Sequence, residues 1–259
     1  MISITSKTDF RFLKKSFAVL FWILLWQVAA QLIGQEILLV SPVSVARRII
    51  ELIVQSVFWQ SITTSIGCVC LGFLLGVVCG TILAYLTTRF SMLDFLFYPL
   101  LSVIKATPVA SFIILALVWL SANQVPILAS FLMVLPIIWS NLSEGILKID
   151  RDLDEVTEVF SFPKSKKFFL FYLPSVLPYF SAACTIALGL AWKAGVAAEV
   201  LANAKRSIGG NIYASKIYLE TTDLFAWTVV VVILSVIFEK LILWSMKKIL
   251  QRFNLQGIL

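Results

Sequence analysis

Charged residues stand inside long apolar runs, among them Lys105, Lys193 and Glu199, and a block of acids followed by lysines over 150–167 interrupts the apolar sequence between Lys105 and the other two. An ionisable group at membrane depth is costly unless it faces water, a partner or a passing solute, so Lys105, Lys193 and Glu199 are candidates to line a solute pathway. For Lys105, which lies between Pro99 and Pro108, structural pairing or snorkelling to the headgroups is an equal alternative. Enzymatic chemistry is largely closed to this sequence. With no histidine there is no Ser-His or Cys-His dyad and no helical zinc-protease motif, and no catalytic residue is assigned. The sequence also has no phosphate loop of the Gly-x-x-x-x-Gly-Lys-Ser/Thr form. Cys68, Cys70, Cys79 and Cys184 all lie within apolar runs and read as buried structural thiols. Cys68 and Cys70, two apart, would turn to nearly opposite sides of a helix, so no metal site is expected.

The elements that must position these residues are hydrocarbon-spanning helices. The 259 residues are 60% apolar and 14% charged, with a mean hydropathy of +0.98, outside the range of a soluble domain. The predicted class is therefore an all-α polytopic membrane protein with about six transmembrane helices, over 16–33, 61–86, 95–120, 126–146, 175–200 and 224–246. The first apolar run is long for a signal peptide and lacks a small-x-small cleavage site. Ser41 can cap and Pro42 can open a helix whose Val45, Ile49, Leu52 and Ile53 share one side, a pattern for lying along the interface. Gly72, Gly76 and Gly80, at spacing four in the second span, predict a seam of close backbone approach to a neighbouring helix. Pro99 and Pro108 both predict breaks in the third span. The 201–223 stretch has room for a short helix or a hairpin-like return.

The basic residues set the orientation. Thirteen fall on the side of the termini and the 150–167 block, five on the other side, and three of the 21 within spans. The richer side is predicted cytoplasmic, so the net charge of +7 reflects the membrane and not nucleic acid. Asp150 or Asp152 can cap a helix with Leu153, Val156 and Phe160 along one side and Asp154, Glu155 and Glu158 off it. Ser161, Phe162 and Pro163 break it, and a second helix starts with Lys164, Lys166 and Lys167 and enters the membrane at Leu173 and Pro174. The product is a cytoplasmic helical elbow. The predicted organisation is an N-terminal tail over 1–15, a transmembrane domain over 16–246 whose loop covers about 148–174, and a C-terminal tail over 247–259.

Here the sequence resembles the integral-membrane permease subunits of ATP-binding-cassette (ABC) importers. Their cytoplasmic loop reads Glu-Ala-Ala, three residues, Gly, about nine residues, then Ile-x-Leu-Pro. It is matched by Glu155-Val156-Thr157, Ser161 and Tyr172-Leu173-Pro174, with Thr157 in place of the second alanine and Ser161 in place of the glycine. The likeness covers about 38–246 and is nearest to the nitrate/sulfonate/taurine-type branch. It includes Leu39-Val-Ser-Pro-Val-Ser-Val, Lys105-Ala-Thr-Pro108, Ala191-Trp192-Lys193 and Ala197-Ala198-Glu199.

The resemblance implies a bacterial plasma-membrane subunit that pairs with a second permease copy. It implies docking of the elbow (Asp154, Glu155, Val156, Thr157, Glu158, Ser161, Leu173, Pro174) on a cytoplasmic ABC ATPase dimer, and delivery of solute by an extracytoplasmic binding protein. ATP and magnesium then belong to the ATPase, and no cofactor to this chain. Lys105, Pro108, Trp192, Lys193 and Glu199 become the pathway candidates, for a sulfonate- or nitrate-like anion or a vitamin precursor. The alternative is an ion-coupled secondary transporter or channel, which the intramembrane charges would suit. The missing repeats and the large elbow suit it less.

Overall fold

Ser41 and Pro42 begin a helix as their types require. The Ser41 hydroxyl accepts from the Ser44 backbone N–H at 3.1 Å, and Pro42 occupies a first-turn position where no N–H is needed. The computed structural model describes residues 5–149 and 162–252, which form helices joined by short turns, with no strand among the described residues. In chain order the helices are α1 (Thr5–Ile33), α2 (Pro42–Ile53), α3 (Ser56–Arg89), α4 (Ser91–Ala106), α5 (Val109–Ala116) and α6 (Val125–Leu147). They continue with α7 (Lys164–Lys167), which passes through a π turn (Phe168–Tyr172) into α8 (Leu173–Ala202), then α9 (Ile208–Ile217) and α10 (Thr221–Arg252).

By length and composition four helices can cross a membrane: α3, α6, the 165–202 run and Thr221–Ser245. The α4–α5 pair makes a fifth if taken as one span, and Phe17–Ile33 within α1 is a shorter apolar helix. These segments stand where the sequence predicts the spans. The third is not straight, because α4 and α5 meet at a bend of 100°. The two prolines also differ in effect. Pro99 sits inside α4, which continues through it, whereas the chain breaks at Thr107, forced into extended backbone (φ −80°, ψ 131°) by the following Pro108. Between α3 and α4 a single extended residue, Phe90, makes the connection.

The centre of the molecule is α6, packed between α3 and α8. In its most apolar stretch 56% is enclosed by neighbours, against 17% in α10, whose sides are left for lipid or a partner. The predicted glycine seam forms on it. A Cβ at Gly76 would lie 2.6 Å from the Val134 Cβ, and one at Gly80 would lie 2.9 Å from the Ile138 Cβ. Lipid tails supply no hydrophobic drive for helix association, so this close approach and the dispersion contact it allows hold the pair. Two buried hydrogen bonds tie α6 further, one to each neighbour. Ser130 Oγ donates to the Ala191 carbonyl of α8 at 3.1 Å, and Trp139 Nε1 donates to Thr87 Oγ1 of α3 at 2.9 Å. Of the four cysteines only Cys184 is buried. Cys68, Cys70 and Cys79 are half-buried, because an apolar side chain in a bilayer need not be covered by protein.

Val45 and Leu52 of α2 are buried as the pattern predicts, and Ile53 is exposed. Arg48 ties α2 to α10: its Nε and Nη2 both donate to the Asp223 carboxylate, the second at 3.0 Å, while Nη1 donates to Glu51 at 2.8 Å. The Asp223 bond first, then that of Glu51, pushes the guanidinium pKa upward. Arg48→Lys keeps the charge but not the two-pronged geometry. It is expected to cost about 1 kcal/mol because the pair is partly exposed, read as a lower thermal midpoint in detergent. Asp223→Ala should give a similar loss, and unchanged midpoints for both would remove this clamp from the stability of the fold.

Candidate functional site

The chain reverses tightly between α8 and α9, and the intramembrane carboxylate lies at that reversal. Asn203, a residue type that tolerates left-handed backbone, closes α8 at φ 50°, and Arg206 adopts φ 55° before Ser207 opens α9. The turn aims the start of α9 at Glu199, which is fully enclosed. The first N–H groups of a helix have no partner within the helix and must find acceptors elsewhere. Here Ile208 N donates to Ser65 Oγ at 2.9 Å, Gly209 N to Glu199 Oε2 at 2.9 Å, and Gly210 N to Ser207 Oγ at 2.9 Å. Ser65 Oγ in turn donates to Glu199 Oε2 at 2.8 Å. The carboxylate also sits at the positive end of the α9 dipole. Only glycine fits at 209, since a Cβ there would collide with the Glu199 Cβ and the Val200 backbone. Sequence reading placed Glu199 among the intramembrane charges but missed Ser65 and Ser207. The Ser207-Ile-Gly-Gly order, a cap followed by two side-chain-free positions, was the available signal.

Trp192 and Lys193 lie together on the wall of a cleft of about 310 Å³ between α8 and α10, with Thr185, Ser235, Phe238 and Glu239 among its lining. Trp192 is 2% exposed and stacks on Phe238, ring centroids 5.2 Å apart, while Lys193 is exposed. From sequence, Glu239 stands near the end of the predicted 224–246 span. It faces this cleft, and its spacing of four from Ser235 would have placed the two on one side of α10.

Lys105 and Pro108 stand elsewhere, at the α4–α5 bend. Lys105 occupies the last turn of α4, where a cation suits the helix dipole, and its Nζ lies 5.5 Å from the centroid of the Trp139 ring. Both residues are exposed.

Of the elbow, Leu173 and Pro174 form the first turn of α8 directly after the π turn, and Lys166 is exposed. Asp154, Glu155, Val156, Thr157, Glu158 and Ser161 lie outside the described residues. On the near side of that stretch, Lys148 donates to Glu144 at 2.6 Å, which moves the lysine pKa upward. Among the described residues no group of three or more carboxylate or cysteine side chains could hold a metal ion.

Residues 72–254 match the family described as "Binding-protein-dependent transport system inner membrane component". Among curated proteins, the chain is 31% identical over 158 residues to a bicarbonate transport system permease protein of Synechocystis sp., covering 60% of this chain and 55% of that one. The chain thus spans just over half the length of that relative. It is 26% identical over 190 residues to a formylaminopyrimidine transport permease protein of Halalkalibacterium halodurans (71% of this chain, 74% of that one). It is 25% identical over 234 residues to a putative aliphatic sulfonates transport permease protein of Bacillus subtilis (90% and 84%). Four to five apolar helices, a glycine seam at the centre and a family match over most of the length place this chain in the family of binding-protein-dependent transport system inner membrane components, the membrane-embedded permeases of ABC transporters.

Proposed function

We propose that the chain is one of two permease subunits of an ABC importer in a bacterial plasma membrane. In this reading its termini and the 148–174 loop face the cytoplasm, where the loop docks on a pair of ATPase subunits that hold ATP and magnesium. Solute reaches the outer side on a separate binding protein. Closure of the ATPase pair moves the loop, and the loop moves α8.

One observation carries the reading. From Lys164 to Ala202 the backbone is helical throughout, so the loop is joined by one stiff rod to the helix that packs on α6 and holds the cleft and the Glu199 cap. Such a rod passes on a displacement without chemistry of its own. The excess of basic residues on the loop side supports the orientation.

The pathway candidates remain Lys105, Pro108, Trp192 and Lys193, with Glu199 holding the turn at the far end of α8. The solute is proposed to be a small anion or a vitamin precursor, in keeping with the bicarbonate, sulfonate and formylaminopyrimidine named in the relatives.

Charge reversal at the elbow is the test. Glu155→Lys or Glu158→Lys, in the complex reconstituted with its ATPase, is expected to leave the protein folded and ATP hydrolysis running. Solute uptake per ATP should fall by about tenfold or more, the loss of one charge-assisted contact. Unchanged coupling in both variants would remove the contact from this position. Solute flux through the chain reconstituted alone, with no ATPase bound, would instead establish the ion-coupled or channel reading.

A further inference from the structure

The cleft between α8 and α10 carries two opposite charges that the protomer leaves unpaired. Lys193 and Glu239 both line it and both are exposed, and among the described residues neither is in an ion pair. Each stands inside an apolar segment. Lys193 is nine residues before the end of α8 at Ala202, and Glu239 six before the end of the apolar part of α10 at Ser245, or about 14 and 9 Å along the axis at about 1.5 Å per residue. Ile186 and Leu190 of α8 and Val236 of α10, one or two turns away on the same sides, are exposed as well. Trp192, on the cleft wall, is 2% exposed, yet its Nε1 has no hydrogen-bond partner.

A hydrocarbon tail cannot answer this surface. Charges within a span are retained where they meet a partner, and a buried indole N–H normally has one. What covers the face must therefore bring a carboxylate to Lys193 and a cation to Glu239. A second copy turned by a twofold axis brings both, because a twofold contact sets residue i on residue j and j on i, and a patch with one charge of each sign is then its own complement. An unrelated chain would have to supply both signs at the same spacing. Close approach is open to such a copy: Gly189, also on the cleft wall, has nothing within 4 Å of an added Cβ, in contrast to the filled glycine seam on α6.

We infer that two copies of this chain meet at this face through reciprocal ion pairs, Lys193 of each on the partner subunit's Glu239, with the arriving carboxylate also accepting from Trp192 Nε1. The inference rests on the reading of the chain as one of two permease subunits, and it names the second as a copy of the same chain. The two pairs border a pathway that runs between the copies.

The test expresses two differently tagged forms of the full chain together in the host cell, captures the complex by one tag and reads recovery of the other. In the wild type each tag is expected to bring down the other. Lys193→Glu in both forms sets like charges together twice, as does Glu239→Lys in both forms. Each should lower recovery by about tenfold or more, the worth of one charge-assisted contact. One form carrying Lys193→Glu and the other Glu239→Lys restores both pairs across the contact, and recovery should return most of the way to the wild type. A chain carrying both substitutions at once restores the pairs however they form, which separates reversed charge from loss of fold. Rescue by that double variant but not by the mixture places the pair within one chain and overturns the inference. Wild-type recovery with either single variant, or a mixture no better than the single variants, overturns it as well. The ATPase is followed in the same wild-type captures. If it is present while neither tag recovers the other, the second subunit is not a copy of this chain and only the inference fails; if it is absent, the transport reading fails.

Discussion

Glu199→Ala is expected to cost about 3–5 kcal/mol, because it leaves two buried donors unpaired at about 1–3 kcal/mol each. The substitution strips the acceptor from Gly209 N and from Ser65 Oγ at once and leaves a cavity at the meeting of α3, α8 and α9. Glu199→Gln keeps an oxygen where Oε2 now accepts both bonds, and its cost should stay near about 1 kcal/mol. Ser65→Ala leaves Ile208 N without its acceptor and takes one of two donors from Glu199 Oε2, and should fall between the two. Thermal unfolding in detergent ranks the three, and amide hydrogen exchange at residues 208–210 localises the effect, since an uncapped helix start opens more readily. If the alanine variant melts with the wild type and those amides stay protected, the cap contributes nothing and Glu199 is free for a role in the pathway.

Gly76→Leu is expected to prevent α3 from seating on α6. Its Cβ alone would fall 2.6 Å from the Val134 Cβ, 2.7 Å from Cγ1 and 3.2 Å from the Phe131 carbonyl oxygen, and three further carbons must follow. Overpacking a well-filled core costs about 1–3 kcal/mol when neighbours can shift. Here a backbone carbonyl bounds the space and Gly72 and Gly80 bracket it on the same seam, so the loss should exceed that range. The fraction recovered as a single species on size exclusion should collapse. Gly67, with nothing within 4 Å of an added Cβ, is the internal control, and Gly67→Ala should leave yield and midpoint unchanged. Gly76→Ala should be partly rescued by Val134→Ala, since the two alter one contact. Equal behaviour of Gly76→Leu and Gly67→Ala would show that the seam does not hold these helices.

Features that depend on local chemistry were legible in the sequence. The Ser41–Pro42 start of α2 needs only a cap and a fixed φ, and the Gly72–Gly76–Gly80 seam needs only a spacing of four. The start of a helix after Pro163 followed in the same way. What depended on distant partners was not legible. Ser65 reaches Glu199 across 134 positions, so hydropathy could identify an expensive carboxylate but not the helix it caps. The rotation of α10 that turns Glu239 into the cleft is set by packing on α8, and from sequence that residue reads as a terminal charge. Pro99 and Pro108 carry equal signals, yet one lies within a continuing helix and the other ends its helix at Thr107. Three cysteines left half-covered make the same point, because apolarity in a lipid-facing helix does not predict enclosure by protein.

The π turn at Phe168–Tyr172 has a bearing on evolution as well as on motion. A π turn bonds one residue further along the chain than an α turn, and each residue advances an α-helix by about 100°. The angular heading of the lysines in α7 is therefore decoupled from the heading of Trp192, Lys193 and Glu199 in α8, although one rod carries both sets. A lineage could re-aim the loop-side end by gaining or losing one residue within these five, and every side chain that meets α6 would stay in register. Changing the contacts of the loop-side end and changing those of α8 become separate steps, and neither needs to wait for the other.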